Sequence, residues 1–220
     1  MTQQSTTKAT VAIIGAGNIG KIVAANLQKG NRPVLLADRN LAKATAIATT
    51  LGSGVRPVEL ETAIREADII LLAVYFNAIK ELLGRYATQL RGKVLIDPSN
   101  PIAPDDKGGF VKIIGASESA GKILSGILPK GVTLVKAFGT LSAASLSGAA
   151  HRQPEPAVLF YASDDRGIDP TIEALIHDSG FAAQRVGGID QSIRIEVFGD
   201  LHEYGALGKT VSLAEAKEKV

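Results

Sequence analysis

Short apolar runs recur along the chain, and between them the apolar positions fall at helical spacing. Strand-like runs occupy about 9–14, 33–38, 54–58, 68–74, 93–97 and 132–137, and helices are expected near 18–29, 40–51, 59–65, 76–90 and 116–128. Strands alternating with helices describe a largely parallel sheet with helices on both faces. The run from Asp68 to Val74 is apolar after its first residue, as a central strand covered on both faces requires. Ser117-Glu118-Ser119-Ala120 reads as a helix start, with serine to cap free N–H groups and an acid at the positive end of the helix dipole. Asp97 to Pro104 carries three prolines and leads into Asp105 to Gly109, so it is expected to be a stiff loop. Beyond residue 150 the pattern changes. His151 to Pro156 reads as a connector into a strand at 157–162, followed by a helix near 166–179 and a short strand near 181–186.

One junction carries chemistry. Gly15-Ala16-Gly17-Asn18-Ile19-Gly20 follows the run Val11 to Ile14 and opens an alanine-rich helical segment. In Gly-x-Gly-x-x-Gly the first glycine allows a tight turn, the second lets a diphosphate approach the backbone, and the third lets helix and strand pack closely. N–H groups at the new helix terminus then face the negative charge. The second strand ends in Asp38, 18 residues past Gly20 and near the spacing at which an acid meets the adenosine ribose. The expected fold is therefore α/β, a doubly wound Rossmann-type sheet. Residues 1–150 form its NAD(P)-binding domain, and 151–220 form a sheet extension with a small C-terminal cap that does not fold independently.

Composition narrows the chemistry. The 220 residues suffice for a substantial core without staples, and they include no cysteine, which removes thiol nucleophiles, Cys-x-x-Cys redox pairs and cysteine-ligated metals. A net charge of +2 with both signs interspersed gives no nucleic-acid face and no polybasic membrane anchor. No apolar run approaches a transmembrane length, and Met1 to Lys8 is polar where a signal peptide would be apolar, so the expected location is the cytoplasm. No two of the three histidines share metal-ligand spacing, and no metal site is expected. His202, within Asp200-Leu201-His202-Glu203-Tyr204, has the best claim of the three to meeting a substrate.

In such sheets ligands sit beyond the carboxyl ends of the strands. Asp38 can accept from ribose hydroxyls, which favours NAD, while Arg39 can pair with the additional phosphate of NADP or stack on adenine. Asp38 can also simply cap the helix starting near Asn40. Ala73, Val74, Tyr75 and Phe76 leave the fourth strand where the nicotinamide half is expected, with Asn100 and Pro101 beside them. Either aromatic of the Tyr75-Phe76 pair can equally be core, and Asn100 can equally bond its own loop.

Several stretches agree with one family. Val11 to Gly20, Asp68 to Val74, Lys93 to Pro101, Leu134 to Ser142 and Leu159 to Asp165 resemble the NADPH-dependent deazaflavin-coenzyme (factor 420) oxidoreductases. The resemblance spans nearly the whole chain; Val135-Lys136-Ala137-Phe138 and Phe160-Tyr161-Ala162-Ser163-Asp164-Asp165 are its more specific parts. It implies a compact Rossmann enzyme that exchanges hydride between NADP and a 5-deazaflavin or flavin-like ring, and a homodimer whose partners are small redox cofactors. Its cofactor residues would be Gly15, Gly17, Asn18, Ile19 and Gly20 at the diphosphate, Asp38 with Arg39 at the ribose, and Ala73, Val74, Tyr75 and Phe76 with Asn100 and Pro101 at the nicotinamide. Ala137, Phe138 and Gly139 would line the acceptor pocket. No dedicated catalytic side chain is implied, because hydride transfer between stacked rings needs alignment and water exclusion. The chain departs from the family's pattern at Asp38, where serine or threonine is usual, at Tyr75, where proline is common, and at Gly139, where many members have asparagine. Two other readings remain. One is a non-catalytic NAD(P)-binding redox sensor; the other is a small imine or hydroxy-acid dehydrogenase with Lys136 as proton donor. The tail from Phe198 to Gly208 is expected to form a lid or an interface.

Overall fold

Alternation inside single strands builds a core on each face of the sheet. The computed structural model describes residues 8–220; the polar segment preceding Lys8, read above as lacking a signal-peptide core, lies outside the described residues. Strand β1 (Val11–Ile14) is buried along its whole length. Val11 and Ile13 face a core shared with helix α1 (Asn18–Lys29) and helix α2 (Leu41–Leu51), through Val23, Leu27 and Ala44. Ala12 and Ile14 face the other side, against helices α3 (Leu60–Glu66) and α4 (Phe76–Arg85), through Ile64, Phe76 and Ile79. A strand clothed on both faces has no polar side, which is why these segments read as continuous apolar runs.

Strand β1 lies between β2 (Val34–Ala37) and β4 (Ile69–Leu72), parallel to both, with Ile14 opposite Ala37 and Leu72. Strand β3 (Val55–Pro57) closes one edge beside β2, and β5 (Val94–Asp97) continues the sheet beyond β4. Farther along the chain come a hairpin of β6 (Ile102–Pro104) and β7 (Phe110–Lys112), helix α5 (Ala120–Gly126), β8 (Thr133–Lys136), helix α6 (Ala143–Gly148), β9 (Val158–Ser163), helix α7 (Asp169–Asp178), β10 (Ala182–Gly187) and the short helix α8 (Leu213–Lys217). The eight-stranded sheet has the order β10-β9-β8-β5-β4-β1-β2-β3. It is a doubly wound Rossmann-type α/β sheet, parallel except between β8 and β9. Chain direction reverses there, and the segment after β10 covers one face of β9 and β10 with Ile195, Leu201, Val211 and Ala216.

Local chemistry moved several element boundaries. The stretch around Ile102 to Lys112 is an antiparallel hairpin and not merely a stiff loop. Its turn is made by Asp105, whose Oδ1 accepts from the N–H groups of Lys107 (2.9 Å) and Gly109 (2.7 Å). Helix α5 begins only at Ala120: Ser119 is its cap, accepting from Lys122 N–H, while Glu118 turns back to accept from Gly115 N–H. Helix α4 stops at Arg85, where the buried Tyr86 donates its hydroxyl to Glu61 at 2.7 Å. Among the described residues no helix is long and apolar enough to cross a membrane.

The crossing of α1 over the sheet is where the fold tolerates least. A Cβ on Gly20 would lie 1.8 Å from the carbonyl oxygen of Gly15, a backbone atom that cannot move aside. Gly17 has φ −79° and nothing within 4 Å of a Cβ built on it. Gly20→Ala should therefore lower the unfolding free energy by about 1–3 kcal/mol through overpacking. Gly17→Ala should leave it within about 1 kcal/mol of the parent. Urea denaturation of the two variants side by side measures the contrast.

Candidate functional site

Beyond the carboxyl ends of β1, β4, β5 and β8 the loops enclose a cleft of about 850 Å³. The order of strands changes direction between β1 and β4, so their following loops part and leave the crevice that such sheets use for ligands. Gly15, at φ +106°, makes the turn out of β1 so close to β4 that a Cβ there would lie 2.3 Å from Ala73 O. Gly17 then caps α1 without a side chain and presents bare backbone to the cleft.

Asp38 fastens this loop. Its Oδ2 accepts from Ala16 N–H at 2.8 Å and its Oδ1 from Asn40 N–H at 3.0 Å, and Lys43 Nζ stands 3.4 Å from Oδ2. Burial pushes this carboxyl up, but the N–H groups of Asn40 and Ala16 and the Lys43 ammonium outweigh it and hold it below the usual aspartate range. The cap of α2 is Asn40 and not Asp38, since Asn40 Oδ1 accepts from Lys43 N–H. Arg39 is exposed at the rim beside them.

Of the residues singled out in the sequence, Gly15, Gly17, Asn18, Ile19, Asp38, Arg39, Ala73, Val74, Tyr75, Phe76, Asn100, Phe138 and Gly139 all line this one cleft. Gly20, Pro101 and Ala137 do not. Gly20 packs under Gly15, Ala137 is core, and buried Pro101 offers its carbonyl to Ile113 N–H at the base of the hairpin. The Tyr75-Phe76 pair divides: Phe76 is buried under α4, whereas Tyr75 is 90% exposed at the mouth. Lys43, Ser99, Glu81 and Arg85 also line the cleft and had not been singled out. Lys43 was findable one helical turn past Asp38-Arg39; Glu81 and Arg85 show no signal until α4 is set against the cleft.

Two side chains with proposed chemistry are committed elsewhere. Lys136 is 1% exposed and does not reach the cleft. Its Nζ lies 2.8 Å from Asp97 Oδ2 and 3.6 Å from Glu196 Oε1 and also donates to the carbonyl of Ser99. Glu196 in turn accepts from the N–H groups of Ala120 (2.8 Å) and Gly121 (3.0 Å), so the start of α5 is tied to the same cluster. Burial by itself would lower the lysine's pKa; the two carboxylates override it and hold it above the ordinary lysine range. A proton-donor role for Lys136 is thus corrected to that of a buried counter-ion. His202 is likewise 1% exposed. Its Nε2 donates to Gly139 O at 3.0 Å and its Nδ1 accepts from Tyr204 N–H at 2.9 Å, which fixes a neutral tautomer and leaves no ring nitrogen for substrate. The tail containing it is docked on the strand ends, with Glu203 accepting from Ser142 N–H at 2.8 Å.

The inner end of the cleft is strained. Phe138 has φ +64°, the left-handed region, which for a bulky residue costs about 1–3 kcal/mol. A Cβ on Gly139 would stand 2.7 Å from Pro98 O, so the branched amide side chain common at that place in the resembling family does not fit this backbone. Ser99 lines the same end, and its buried hydroxyl has no hydrogen-bond partner among the described residues.

Two outcomes follow from these networks. Lys136→Ala leaves Asp97 and Glu196 buried without their counter-ion and should cost about 3–5 kcal/mol, read as a lower urea midpoint. Burial depresses the His202 pKa below 6.5, so the unfolded chain binds a proton that the folded chain refuses. Stability contributed by His202 is then complete above pH 6.5 and declines as pH falls below it, a slope that His202→Gln should reduce in urea titrations between about pH 5 and 7.

Comparison with known proteins adds an independent line. Residues 10–101 match the family model described as NADP oxidoreductase coenzyme F420-dependent. The chain is 28% identical over 200 residues to the F420-dependent NADP reductase of Methanothermobacter thermautotrophicus, covering 84% of each protein. It is 38% identical over 95 residues to the glutamyl-tRNA reductase of Caldivirga maquilingensis, which covers 41% of this chain. That enzyme is far longer, and the chain spans 23% of its length. A crystal structure of a hypothetical protein from Sinorhizobium meliloti superposes with a TM-score of 0.80 at 26% identity, covering 93% of this chain and 95% of that one. The glycine turn at the strand crossover and the parallel sheet around it lie within residues 10–101, the stretch that is similar to the coenzyme F420-dependent NADP oxidoreductases.

Proposed function

We propose that this protein transfers hydride between NADP(H) and a flat deazaflavin or flavin-like ring. Gly17 carries the proposal. Gly15 and Gly20 are glycines because neighbouring protein atoms leave no room, but around Gly17 the protein leaves open space and an ordinary backbone angle. A bare backbone N–H at a helix start, facing a cleft of about 850 Å³, fits a diphosphate drawn up against it. The unpartnered Ser99 hydroxyl at the other end is a second group the protein itself does not satisfy.

Arg39 and Lys43 flank Asp38 at the rim, and two cations there suit the 2′-phosphate that distinguishes NADP. Asp38 keeps its hold on Ala16 N–H, so its presence is explained without a ribose. A dinucleotide held at Gly17 and along the Ala73–Val74 strand end would supply a hydride to the acceptor ring, with the balancing proton drawn from water. The protein's part is alignment and exclusion of water, by the Ala73–Val74 strand end on one side and the Phe138–Gly139 turn on the other. A dehydrogenase acting on an imine or hydroxy acid needs a side chain to exchange the substrate proton, and its candidate Lys136 is sealed in an ion cluster.

Calorimetric titration with NADPH and NADH, followed by NADPH oxidation assays with deazaflavin, FMN and FAD, tests this. NADPH should bind at least about tenfold more tightly than NADH, and Arg39→Ala should erase most of that difference. Gly17→Val should abolish binding of both while the urea midpoint holds. Dinucleotide affinity surviving in Gly17→Val would sink the assignment, and tighter NADH binding would return Asp38 to the ribose.

A further inference from the structure

Asn100 lines the inner end of the cleft, yet its carboxamide is already engaged at both ends. Nδ2 donates to Gly139 O at 2.9 Å, and Oδ1 accepts from Val197 N–H at 2.7 Å. The same Gly139 carbonyl receives the Nε2–H of His202 at 3.0 Å from the opposite segment of chain. Glu203 N–H donates to Thr140 O at 3.2 Å, and Glu203 Oε1 accepts from Ser142 N–H at 2.8 Å. The docked tail therefore grips the turn after β8 at Gly139, Thr140 and Ser142. Val197, His202 and Glu203 contribute nothing to the cleft wall. What they hold is the turn in which Phe138 keeps a left-handed backbone and Gly139 lies against Pro98.

A strained turn keeps its shape only when its surroundings over-determine it. Two donors on one carbonyl do that here. We propose that Asn100 and His202 are positioning residues that act together through the Gly139 carbonyl, setting the height of the Phe138–Gly139 floor on which two rings must meet. Neither needs to touch dinucleotide or acceptor. The inference rests on the hydride-transfer reading and assigns to the C-terminal tail a function in the site that its burial hides.

The test compares Asn100→Asp, His202→Phe and the double variant. Asn100→Asp keeps the acceptor for Val197 N–H and sets a carboxylate oxygen against the Gly139 carbonyl; His202→Phe removes the second donor at similar volume. Single-turnover oxidation of NADPH by the acceptor active with wild type should slow about tenfold in each single variant, since small misplacements of reacting groups are costly. NADP affinity should change by less than about twofold, and the double variant should be no slower than the slower single, because both act on one carbonyl. His202→Gln, whose amide can donate to the same oxygen, should recover most of the rate. Hydrogen exchange of residues 138–141, measured without any acceptor, should quicken in both singles and no further in the double. Independent, multiplicative losses overturn the proposal. So does weakened affinity of Asn100→Asp for NADP but not for 2′-phospho-ADP-ribose, which would mean Asn100 touches the nicotinamide. If wild type oxidises NADPH with no ring acceptor, the hydride-transfer reading fails by itself, and the exchange measurement still decides whether the two residues share the carbonyl. Asn100→Ser and His202→Leu serve in the same comparisons should the first pair fold poorly.

Discussion

Gly15 stands where β1 comes closest to β4, and no side chain can stand in its place. A Cβ would lie 2.3 Å from Ala73 O and 2.8 Å from a methyl of Val74. That contact lets the chain turn from β1 into α1 within three residues, and it sets the start of the helix directly over the gap between the strand ends. Gly20 repeats the demand one turn on, by fitting against the Gly15 carbonyl. With both contacts made, Gly17, Asn18 and Ile19 at the start of α1, where a helix leaves its first N–H groups without intrahelical partners, line the cleft. A helix that must begin at that spot turns its positive end towards the cleft.

The far end of the cleft is held by different physics. Asp97, Lys136 and Glu196 come from β5, β8 and the tail, and burying three charges is tolerable only because each finds several partners. Asp97 and Lys136 lie opposite each other in the parallel pairing of β5 and β8. The two Ser99 backbone groups are consumed by the same pair, its N–H by Asp97 at 2.7 Å and its carbonyl by Lys136. The loop that carries Ser99 and Asn100 into the cleft is thus fixed from beneath by charge, while the glycine turn is fixed by shape. Only the first arrangement depends on the tail, since Glu196 neutralises the lysine's other side.

Much of this was readable from residues in order. Continuous apolar runs located β1, β2, β4 and β5, because strands buried on both faces have no alternative composition. Gly-x-Gly-x-x-Gly located the turn, and thirteen of the sixteen expected residues line one cleft. What stayed hidden was set by partners distant in sequence. Nothing local in Leu134 to Ala137 reveals that Lys136 points into the protein, because its partners lie 39 residues before it and 60 after. His202 sits among acids and a tyrosine, which looks like chemistry until Gly139 O and Tyr204 N–H take both nitrogens. The hairpin was obscured by Pro101 and Pro104, residues that sheets accept only at edges and strand ends, and its exposed Phe110 and Val111 lack a polar alternation. Helix α8 is marked in the sequence by Ser212 and Glu215, which form a reciprocal capping box.

Asp38 shows why a single acid is a poor guide to cofactor choice. The spacing rule treats a carboxylate after the second strand as a ribose acceptor, and therefore as evidence against the bulkier phosphate. In this chain the carboxylate is half-buried and fastens the N–H of Ala16 in the glycine turn to the N–H of Asn40 before α2. Removing it would loosen the glycine turn whatever bound there. An acid with that task can remain while cations gather around it, and Lys43 already offsets its charge from 3.4 Å. Arg39 then carries a full positive charge at the rim with no ion pair among the described residues. The electrostatic character of this end is set by the sum of Asp38, Arg39 and Lys43, which is positive, and a phosphate can be attracted to a site whose most conspicuous residue is an acid.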